Sequence, residues 1–513
     1  MIILIGFACG LLFVELLPLS STQKILLEKS NPEEQGINSI KIDQIVKWIK
    51  KNNYPIDSLL ITRNGKLVVE KYISLDEKLN HLLSDRDPKH AIASCTKSIT
   101  SVLVGIAIDK GYIKGVHEKV LDFFPDYLST IDNLDPQKEM ITIEDLLTMR
   151  TGLDWWQPGS LSSEYFNSEA DHIQMYNSPD YIAYTLSQPM ISNPGEGFAY
   201  CGGASHLLSA IIERTTGKST LKFAQDNLFD PLGITDVYWP KASEGTYIGG
   251  GGVKMTSKDM IKIGQLYLNN GSWNGRQIVS KQWIINSTKT YHFFEDNLGY
   301  AYQWWTYPQS GIYAAWGAYC QSIFIIPNEN MVVVFTANIK NPPNPEYGLL
   351  MHILDSLNEK KKYDTYGFEF NYSKGMFLEE RSDIVGLLSD NKGRIDVNTG
   401  QFPLLKYEIN WQTMITPPNL SQAISDYWDS FEIRNPTFPF TMIGPRIAGM
   451  KDSHVMLCQK VRWEQRGDSF LGMMFVWYCE DQSRLYSVVY YDLDIELENN
   501  ALKFIESMQC HLP

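Results

Sequence analysis

The stretch AIASCTKSITSVLVGIAIDKG, residues 91–111, places a serine and a lysine three positions apart at the start of an apolar run. Apolar residues recur at helical spacing from Ile99 onward, and Gly111 is a natural stop, so the pattern predicts a helix that begins near Ser94. Residues three apart on a helix project from the same face, which brings Lys97 beside the Ser94 hydroxyl. Two interpretations follow: a catalytic serine–lysine pair, or the polar start of an ordinary helix with a solvated lysine.

The surroundings of Ser94 favour the catalytic interpretation. The spacing alone carries little weight, because the S-x-x-K pattern also occurs at Ser21, Ser219 and Ser389. A serine hydroxyl is a weak nucleophile and needs an adjacent base. Lys97 opens a long apolar helix, and burial in such a place lowers the pKa of a lysine until its amine can accept a proton. The sequence therefore predicts Ser94 and Lys97 as a nucleophile and its base.

The composition indicates a large globular protein that acts on a small molecule. The chain has 513 residues, 44% of them hydrophobic, and a formal net charge of -14. This balance disfavours nucleic acid and anionic membrane surfaces as partners and favours a neutral or weakly charged small-molecule substrate. The seven cysteines form no C-x-x-C or Cys/His pattern with zinc spacing, so we expect neither a metal site nor a cofactor. A disulfide between Cys458 and either Cys479 or Cys510 is compatible with the sequence, which does not decide between them.

The N-terminal segment 1–22 has the outline of a leader or membrane anchor. Its first 20 residues are almost entirely apolar and the polar sequence STQK follows. This predicts a protein that is exported to the periplasm or outside the cell, or attached to a membrane through this segment. No basic residue precedes the apolar run and Glu15 interrupts it, so a buried amphipathic N-terminal helix is the alternative.

Two strand pairs stand at opposite ends of the region 23–360. Residues 57–73 predict two strands around the Asn64-Gly65 turn, and residues 321–338 predict two strands around a four-residue turn. One sheet with strands from both ends, covered by helices, makes this an α+β domain. Capping residues and glycine stops predict three of those helices. The first spans 141–153, beginning with the Thr142/Asp145 capping box and ending at Gly152. The second spans 205–217, and the third begins after Thr256, whose capping partner is Asp259.

Beyond this region the composition changes. The charged residues 357–367 predict a linker. Residues 469–479 and 484–493 predict strands, and residues 498–508 predict a closing helix. We therefore expect residues 365–513 to form a separate, smaller α+β domain, to which no motif attaches a function.

Four further blocks occur in a fixed order around the SCTKS sequence and together resemble the serine β-lactamase and penicillin-binding-protein superfamily. The likeness is to its branch of class C β-lactamases, esterases, D-peptidases and proteins resembling 6-aminohexanoate-dimer hydrolase, and it covers roughly residues 30–355. It implies a β-lactamase/transpeptidase-like fold, a mainly antiparallel sheet flanked by helices plus a helical subdomain. The blocks are residues 141–153, 193–217, 250–278 and 314–338.

The resemblance assigns roles to particular residues. Ser94 would be acylated and Lys97 would be its proton partner. Tyr200, which begins the family's Y-x-N motif, would activate the serine and later the deacylating water, as a tyrosinate or through Lys97. A tyrosinate needs a nearby cation to lower its pKa, and Lys97 is the candidate. The backbone NH groups of Ser94 and Tyr319 would form the oxyanion hole.

Departures from the family's motifs bear on the substrate. Trp316-Gly317-Ala318 stands where β-lactamases have K-T-G beside the substrate, and its two small residues would let a substrate approach the strand closely. Gly202 replaces the Asn of Y-x-N, whose amide would bind the acyl side chain of a substrate. The resemblance thus implies hydrolysis of esters or uncharged amides ahead of penicillins, because a tryptophan cannot pair with a substrate carboxylate. A penicillin-recognising D-peptidase or β-lactamase is one alternative. A degenerate, non-catalytic binding protein of the same fold is the other.

Paired tryptophans follow the block that ends at residue 153. Trp155 and Trp156 would favour an apolar substrate if they formed the pocket walls. Both residues are equally well explained as core and loop anchors.

Overall fold

The structure is a computed structural model, and it describes the following parts of the chain. These are residues 27–73 except 52, residues 87–339 except 132–133, 160–161, 163 and 295–297, residues 346–357, residues 419–420 and 423–425, and the strands between residues 360 and 492. The predicted leader, residues 1–22, lies outside them. Within the described residues, no helix has the length and apolar character needed to cross a bilayer.

An eight-stranded antiparallel sheet forms the centre of the N-terminal part. Its order is β2-β1-β12-β11-β10-β9-β8-β7, and two short pairs, β3–β4 and β5–β6, lie outside it. The bounds are β1 Ile56–Arg63, β2 Lys66–Tyr72, β3 His90–Ala91, β4 Lys254–Met255, β5 Ser272–Trp273, β6 Arg276–Gln277, β7 His292–Phe293, β8 Gly299–Tyr300, β9 Trp305–Tyr307, β10 Ile312–Gly317, β11 Gln321–Ile326 and β12 Met331–Ala337.

Helices cover both faces of this sheet. The side chains of β1, β11 and β12 alternate between two cores. One core holds α1 and α10, and the other holds α2, α6 and α8, with α8 packed directly on β1, β11 and β12. The helices are α1 Ser39–Lys51, α2 Cys95–Asp109, α3 Ile143–Thr148, α4 Asp171–Asn177, α5 Tyr181–Ser187, α6 Gly202–Thr216, α7 Thr220–Ala224, α8 Ser257–Leu268, α9 Lys281–Thr288 and α10 Glu346–Asp355.

The predicted α+β class and the sheet built from both ends of the domain are confirmed. The Asn64-Gly65 turn has positive φ at both residues, 53° and 76°, which matches the twist of the strands it joins. β1 pairs with β12, so the two predicted hairpins lie side by side. The capping box predicted at Thr142 is also present, and Thr256 caps its helix by accepting a hydrogen bond of 3.1 Å from the Asp259 amide.

One helix end was predicted wrongly. The sequence places the end of α3 at Gly152, but the helix ends at Thr148 and Met149 adopts the left-handed conformation with φ 59°. The Arg150 amide then donates to the Asp145 carbonyl, a bond that closes the helix. Glycine is the common residue at such a position, and a methionine there gives no warning in the sequence.

The C-terminal part contains more regular structure than its composition indicates. Within the segment predicted as a linker, β13 (Lys360–Thr365) pairs with β14 (Phe368–Ser373). A seven-stranded antiparallel sheet follows, in the order β15-β16-β17-β21-β20-β19-β18. Its strands are β15 Phe377–Arg381, β16 Lys392–Asn398, β17 Leu405–Thr413, β18 Phe440–Lys451, β19 His454–Gln465, β20 Asp468–Cys479 and β21 Arg484–Asp492.

β20 and β21 confirm the two predicted strands, while the predicted helix at 498–508 lies outside the described residues. Cys458 is buried and faces Phe475 across the sheet. Cys479 lies four positions further along β20, about 13 Å away at the rise of a strand, which is too far for a disulfide. Cys510 lies outside the described residues, and the division into domains at residues 360–365 stays a prediction.

Candidate active site

The start of α2 holds the predicted nucleophile. Ser94 is the N-cap of this helix, and the residue before it, Ala93, has a φ of 46°, unusual for a residue with a side chain. The first thirteen residues of α2, from Cys95 to Ala107, are all buried. A helix surrounded on all sides fixes its first turn rigidly, so the Ser94 hydroxyl has a defined position.

Lys97 meets the two conditions that the sequence predicted for it. Its amine lies 3.2 Å from the Ser94 Oγ and donates to the Gly250 carbonyl at 2.7 Å. The residue is 2% exposed, and burial lowers the pKa of its amine to about 8, while the thiols of Cys201 and Cys95 act in the opposite direction. A substantial fraction of the amine is therefore neutral near neutral pH and able to take a proton.

Tyr200 completes the group around the serine. The Lys97 Nζ lies 4.9 Å from the centre of the Tyr200 ring, and the Ser94 hydroxyl is close enough to the phenol to affect its pKa. The sequence led us to expect that Lys97 lowers the pKa of this phenol. Instead, burial raises the pKa of Tyr200, against a smaller opposite effect of Ser94. The phenol is thus neutral at neutral pH, which favours a relay through Lys97 over a tyrosinate.

The end of the β10–β11 hairpin is packed against the serine. A Cβ on Gly317 would lie 2.4 Å from the Ile92 carbonyl oxygen, and the Cys95 thiol donates to the Gln321 carbonyl at 3.4 Å. Gly317 therefore has no side chain because its own chain occupies the space, whereas the sequence attributed this to the approach of a substrate. These contacts place the hairpin end that carries Tyr319 against the residues on either side of Ser94.

The backbone of this hairpin end is suited to bind an oxyanion. Tyr319 and Cys320 both adopt the left-handed conformation, with φ of 66° and 65°. Ser94 and Tyr319 both lie outside the helices and strands. Among the turn, loop and cap hydrogen bonds of the described residues, neither amide donates to a backbone carbonyl. Two available NH groups on adjoining segments are the arrangement that stabilises a tetrahedral oxyanion.

Gln157 is a site residue that the sequence did not reveal. The Gly202 amide donates to its Oε1 at 2.9 Å, and a Cβ on Gly202 would lie 3.2 Å from the same atom. Trp155 also donates its indole N–H to this oxygen, at 3.2 Å. The carboxamide of Gln157 thus lies where a side chain on residue 202 would begin, and this is the position of the Asn in the family's Y-x-N motif. Its Nε2 donates to none of the described residues.

The aromatic residues near the site divide into core and surface. Trp155 is buried and belongs to the core, so it is not an open pocket wall, whereas Trp156 is 40% exposed. Trp316 is half-buried and lies 5.6 Å from Trp305, which in turn stacks on Tyr200 at 5.9 Å. Trp305 and Trp316 therefore form the aromatic wall beside Tyr200, and Ala318, 7% exposed, lies below the surface at the end of the same strand.

Three further residues cover the site from the segment around α4. His172 is buried between the rings of Tyr165 and Tyr176, with centroid distances of 4.9 and 6.2 Å, and burial lowers the pKa of its imidazole. The Tyr176 hydroxyl lies 3.8 Å from the place of a Cβ on Gly251. No spacing pattern in the sequence marks these residues, because the segments meet only in the folded chain.

This fold and its arrangement around a buried serine–lysine pair are those of the serine β-lactamase and penicillin-binding-protein superfamily of hydrolases. The family model described as Beta-lactamase matches residues 42–357, and the chain belongs to that family. The resemblance expected from the sequence blocks is therefore confirmed.

Individual relatives agree with this assignment. The 6-aminohexanoate-dimer hydrolase of Paenarthrobacter ureafaciens is 22% identical over 322 residues, which are 59% of this chain and 79% of that protein. Protein flp of Staphylococcus aureus strain COL is 27% identical over 201 residues, 38% of this chain and only 37% of flp. A solved Bacillus anthracis protein, proposed as a 6-aminohexanoate-dimer hydrolase, has a TM-score of 0.50 at 21% identity, covering 59% of this chain and 78% of its own.

Proposed function

We propose that this protein is a serine hydrolase that cleaves esters or amides through an acyl-enzyme on Ser94. The observation that carries the proposal is the contact of 3.2 Å between the Ser94 hydroxyl and the buried Lys97 amine, whose pKa burial lowers to about 8. A serine activated in this way is a nucleophile, and a degenerate binding protein has no need of a buried lysine that costs stability.

Acylation follows from the positions of the three side chains. Neutral Lys97 takes the proton of the Ser94 hydroxyl while the Oγ attacks the substrate carbonyl carbon, and the negative charge that develops on the carbonyl oxygen lies between the Ser94 and Tyr319 amides. When the tetrahedral intermediate collapses, the bond to the alcohol or amine leaving group breaks. The Tyr200 phenol passes a proton to the leaving group and regains one from the Lys97 ammonium.

Deacylation uses the same groups in the reverse sense. A water molecule gives a proton to Lys97 by way of Tyr200 while its oxygen attacks the ester carbonyl of the acyl-enzyme. The bond between Ser94 and the acyl carbon then breaks, and the proton returns to the Ser94 Oγ. The products are a carboxylic acid and free enzyme, so atoms and charge balance over the cycle.

The aromatic wall supports uncharged substrates. Trp316 stands where a β-lactamase has a lysine, and the loss of a charge-assisted hydrogen bond to a carboxylate costs on the order of 1.5–3 kcal/mol. Trp305 and Trp316 offer apolar contact instead. The Nε2 group of Gln157 would bind a carbonyl oxygen on the acyl side of the substrate. The proposed substrates are therefore esters and uncharged amides.

A fluorophosphonate probe tests the proposal directly. We expect one adduct, on Ser94, located by tryptic mapping, and hydrolysis of short-chain p-nitrophenyl esters that Ser94→Ala abolishes. An adduct on another serine, or none on folded protein, overturns the mechanism. A fluorescent penicillin separates the alternative enzyme class, because stoichiometric labelling of Ser94 by that probe would favour a penicillin-recognising peptidase or β-lactamase.

A further inference from the structure

Four consecutive backbone carbonyl groups in the segment from Tyr247 to Gly250 each accept a hydrogen bond from a side chain. The donors come from α2, from α6 and from the segment before β4, and the distances lie between 2.7 and 2.8 Å. We call this segment the carbonyl strap. In order, Ser209 binds the Tyr247 carbonyl, the Trp239 indole binds that of Ile248, Thr100 binds that of Gly249 and Lys97 binds that of Gly250.

The strap has little freedom to move away from these donors. A Cβ on Gly249 would lie 2.0 Å from the Ser205 carbonyl oxygen, and a Cβ on Gly250 would lie 2.9 Å from the Gly202 carbonyl oxygen. Both glycines are therefore needed for the close approach of the strap to α6. A regular strand would satisfy its carbonyl groups through a neighbouring strand, whereas here buried side chains do so.

A second contact fixes the chain just before the strap. Glu244 accepts a hydrogen bond of 2.7 Å at Oε1 from His206 Nε2, and the Tyr181 amide donates to its other oxygen at 3.2 Å. His206 is completely buried within α6. The strap is thus tied to the helix that begins directly after Tyr200 and Cys201.

The strap decides which way the Lys97 lone pair points. A neutral amine has two N–H bonds and one lone pair, and the Gly250 carbonyl engages one N–H at 2.7 Å. Only an amine held in this way presents its lone pair to the Ser94 hydroxyl, 3.2 Å away. Gly202 has no amide side chain that could share this task, so the orientation of Lys97 depends on the strap.

We propose that the carbonyl strap is a positioning element for Lys97 and that Thr100 is its principal positioning residue. Lys97 and Thr100 lie three residues apart on α2, on the same face, and bind consecutive carbonyl groups. The Thr100 hydroxyl holds the Gly249–Gly250 peptide in place, and through that peptide it sets the direction of the Lys97 amine. This inference rests on the proposed function of Ser94 and Lys97.

A pH profile reports on the strap because the other groups that face Lys97 are few. The Tyr200 ring lies 4.9 Å from its Nζ, and the thiols of Cys201 and Cys95 and the His172 imidazole contribute through space. None of these groups lies on the strap. A carbonyl acceptor favours the ammonium form, so displacement of Gly250 lowers the pKa of Lys97 further.

Thr100→Val tests the proposal, with two matched controls. The first-order rate of Ser94 acylation at saturating p-nitrophenyl ester, and the second-order rate of labelling by a fluorophosphonate, are measured from pH 5 to pH 10. We expect the alkaline plateau to fall about tenfold or more and the midpoint of the rising limb to move to lower pH, with KM within about twofold. Thr100→Ser keeps the hydroxyl and restores the parent profile.

Thr62→Val is the control for stability. Thr62 is completely buried, its hydroxyl donates to Gln265 at 2.9 Å, and it lies on β1 away from the strap. Thr62→Val should lower the unfolding temperature as much as Thr100→Val does, and it should leave the pH profile of acylation unchanged. A Thr100→Val profile that coincides with that of Thr62→Val overturns the inference and leaves the proposed function intact. Failure of the parent protein to label at Ser94 overturns both.

Discussion

Two buried lysines, Lys97 in the first turn of α2 and Lys262 in the middle of α8, have nearly the same environment and differ in one partner. Lys97 is 2% exposed and Lys262 is 4% exposed. Each donates to a backbone carbonyl, Gly250 for Lys97 and Gly233 for Lys262, and each contacts the residue three positions earlier. For Lys262 that residue is Asp259, whose carboxylate lies 2.9 Å away, and for Lys97 it is the Ser94 hydroxyl.

The difference lies in the charge of the residue three positions earlier, because the proposed catalytic lysine has no carboxylate there. The Asp259 carboxylate compensates the charge of Lys262, so that lysine is a structural ion pair. The Ser94 hydroxyl carries no charge, and burial therefore lowers the pKa of Lys97 to about 8. The protein accepts a cost in stability at α2 that it avoids at α8, which is common at functional sites.

The largest expected effect comes from removing each lysine in turn. Lys97→Met should lower kcat/KM for a p-nitrophenyl ester by about 10³–10⁴ because the general base is lost. It should also raise the free energy of unfolding at pH 7 by up to about 3 kcal/mol, since the methionine avoids the burial of a charge. This gain in the free energy of unfolding has its full size below about pH 8, where Lys97 is charged in both the folded and the unfolded protein. It decreases as the pH rises towards 10.5, the ordinary pKa of a lysine.

Lys262→Met is the opposite case. It should leave kcat/KM unchanged and destabilise the fold by about 3–5 kcal/mol, because Asp259 keeps a buried and unpaired charge. Urea unfolding followed by fluorescence measures both variants. Equal destabilisation by the two substitutions would refute the contrast between α2 and α8.

Tyr200→Phe separates the proton relay from the base. The substitution keeps the ring that stacks on Trp305 at 5.9 Å and removes only the hydroxyl. We expect kcat to fall by about 10²–10³ with little change in KM, because the phenol acts on the proton of the leaving group. The effect should be larger for amides than for p-nitrophenyl esters, whose leaving group needs no protonation. Equal losses for the two substrates would contradict the relay.

The pH dependence of acylation sharpens the comparison further. Since neutral Lys97 is the base and burial lowers its pKa to about 8, kcat/KM should rise about tenfold per pH unit below 8 and level off above it. Stopped-flow acylation between pH 5.5 and pH 10 measures this limb. A profile that is flat through pH 8 would mean that another group takes the Ser94 proton.

The smallest expected effect concerns the substrate. Trp316→Lys restores the cation that the family's motif carries and should raise the acylation rate by a penicillin about tenfold or more, the value of a charge-assisted hydrogen bond. Stability should fall, because Trp316 packs on Trp305 and on Phe324 at 6.2 Å. Trp316→Arg adds a positive charge, and Trp316→Leu removes the indole without adding a charge. A faster acylation by penicillin in all three variants would mean that the loss of the indole, and not the new charge, causes the gain.

Local sequence patterns were sufficient for the elements of the fold. The period of apolar residues after Ile99, the Asn64-Gly65 turn and the Thr142 capping box each depend on neighbours in the chain, and each is present. The same reasoning explains Ser219, which caps α7 while its Lys222 is exposed and paired with Asp226 at 2.7 Å. That S-x-x-K sequence is therefore an ordinary helix start with a solvated lysine.

The parts of the site that the sequence missed arise from contacts between distant segments. Gln157 meets Gly202, and Gly250 meets Lys97, across many intervening residues. A single sequence carries no signal for such pairs, because the local pattern around one partner does not depend on the other. The raised pKa of Tyr200 was missed for the same reason, since it depends on burial by the surrounding chain.

The pairing of β1 with β12 has a consequence for biosynthesis. Leu60 faces Val334 in the sheet, so an apolar strand made early must wait for a partner made near the end of the domain. At ordinary translation rates this wait is on the order of ten seconds or more. During it, the 57–73 hairpin presents an unpaired β1 edge to other nascent chains. We expect the yield of folded protein to depend on chaperones that shield this edge. Coexpression of a chaperone that binds nascent chains should raise that yield.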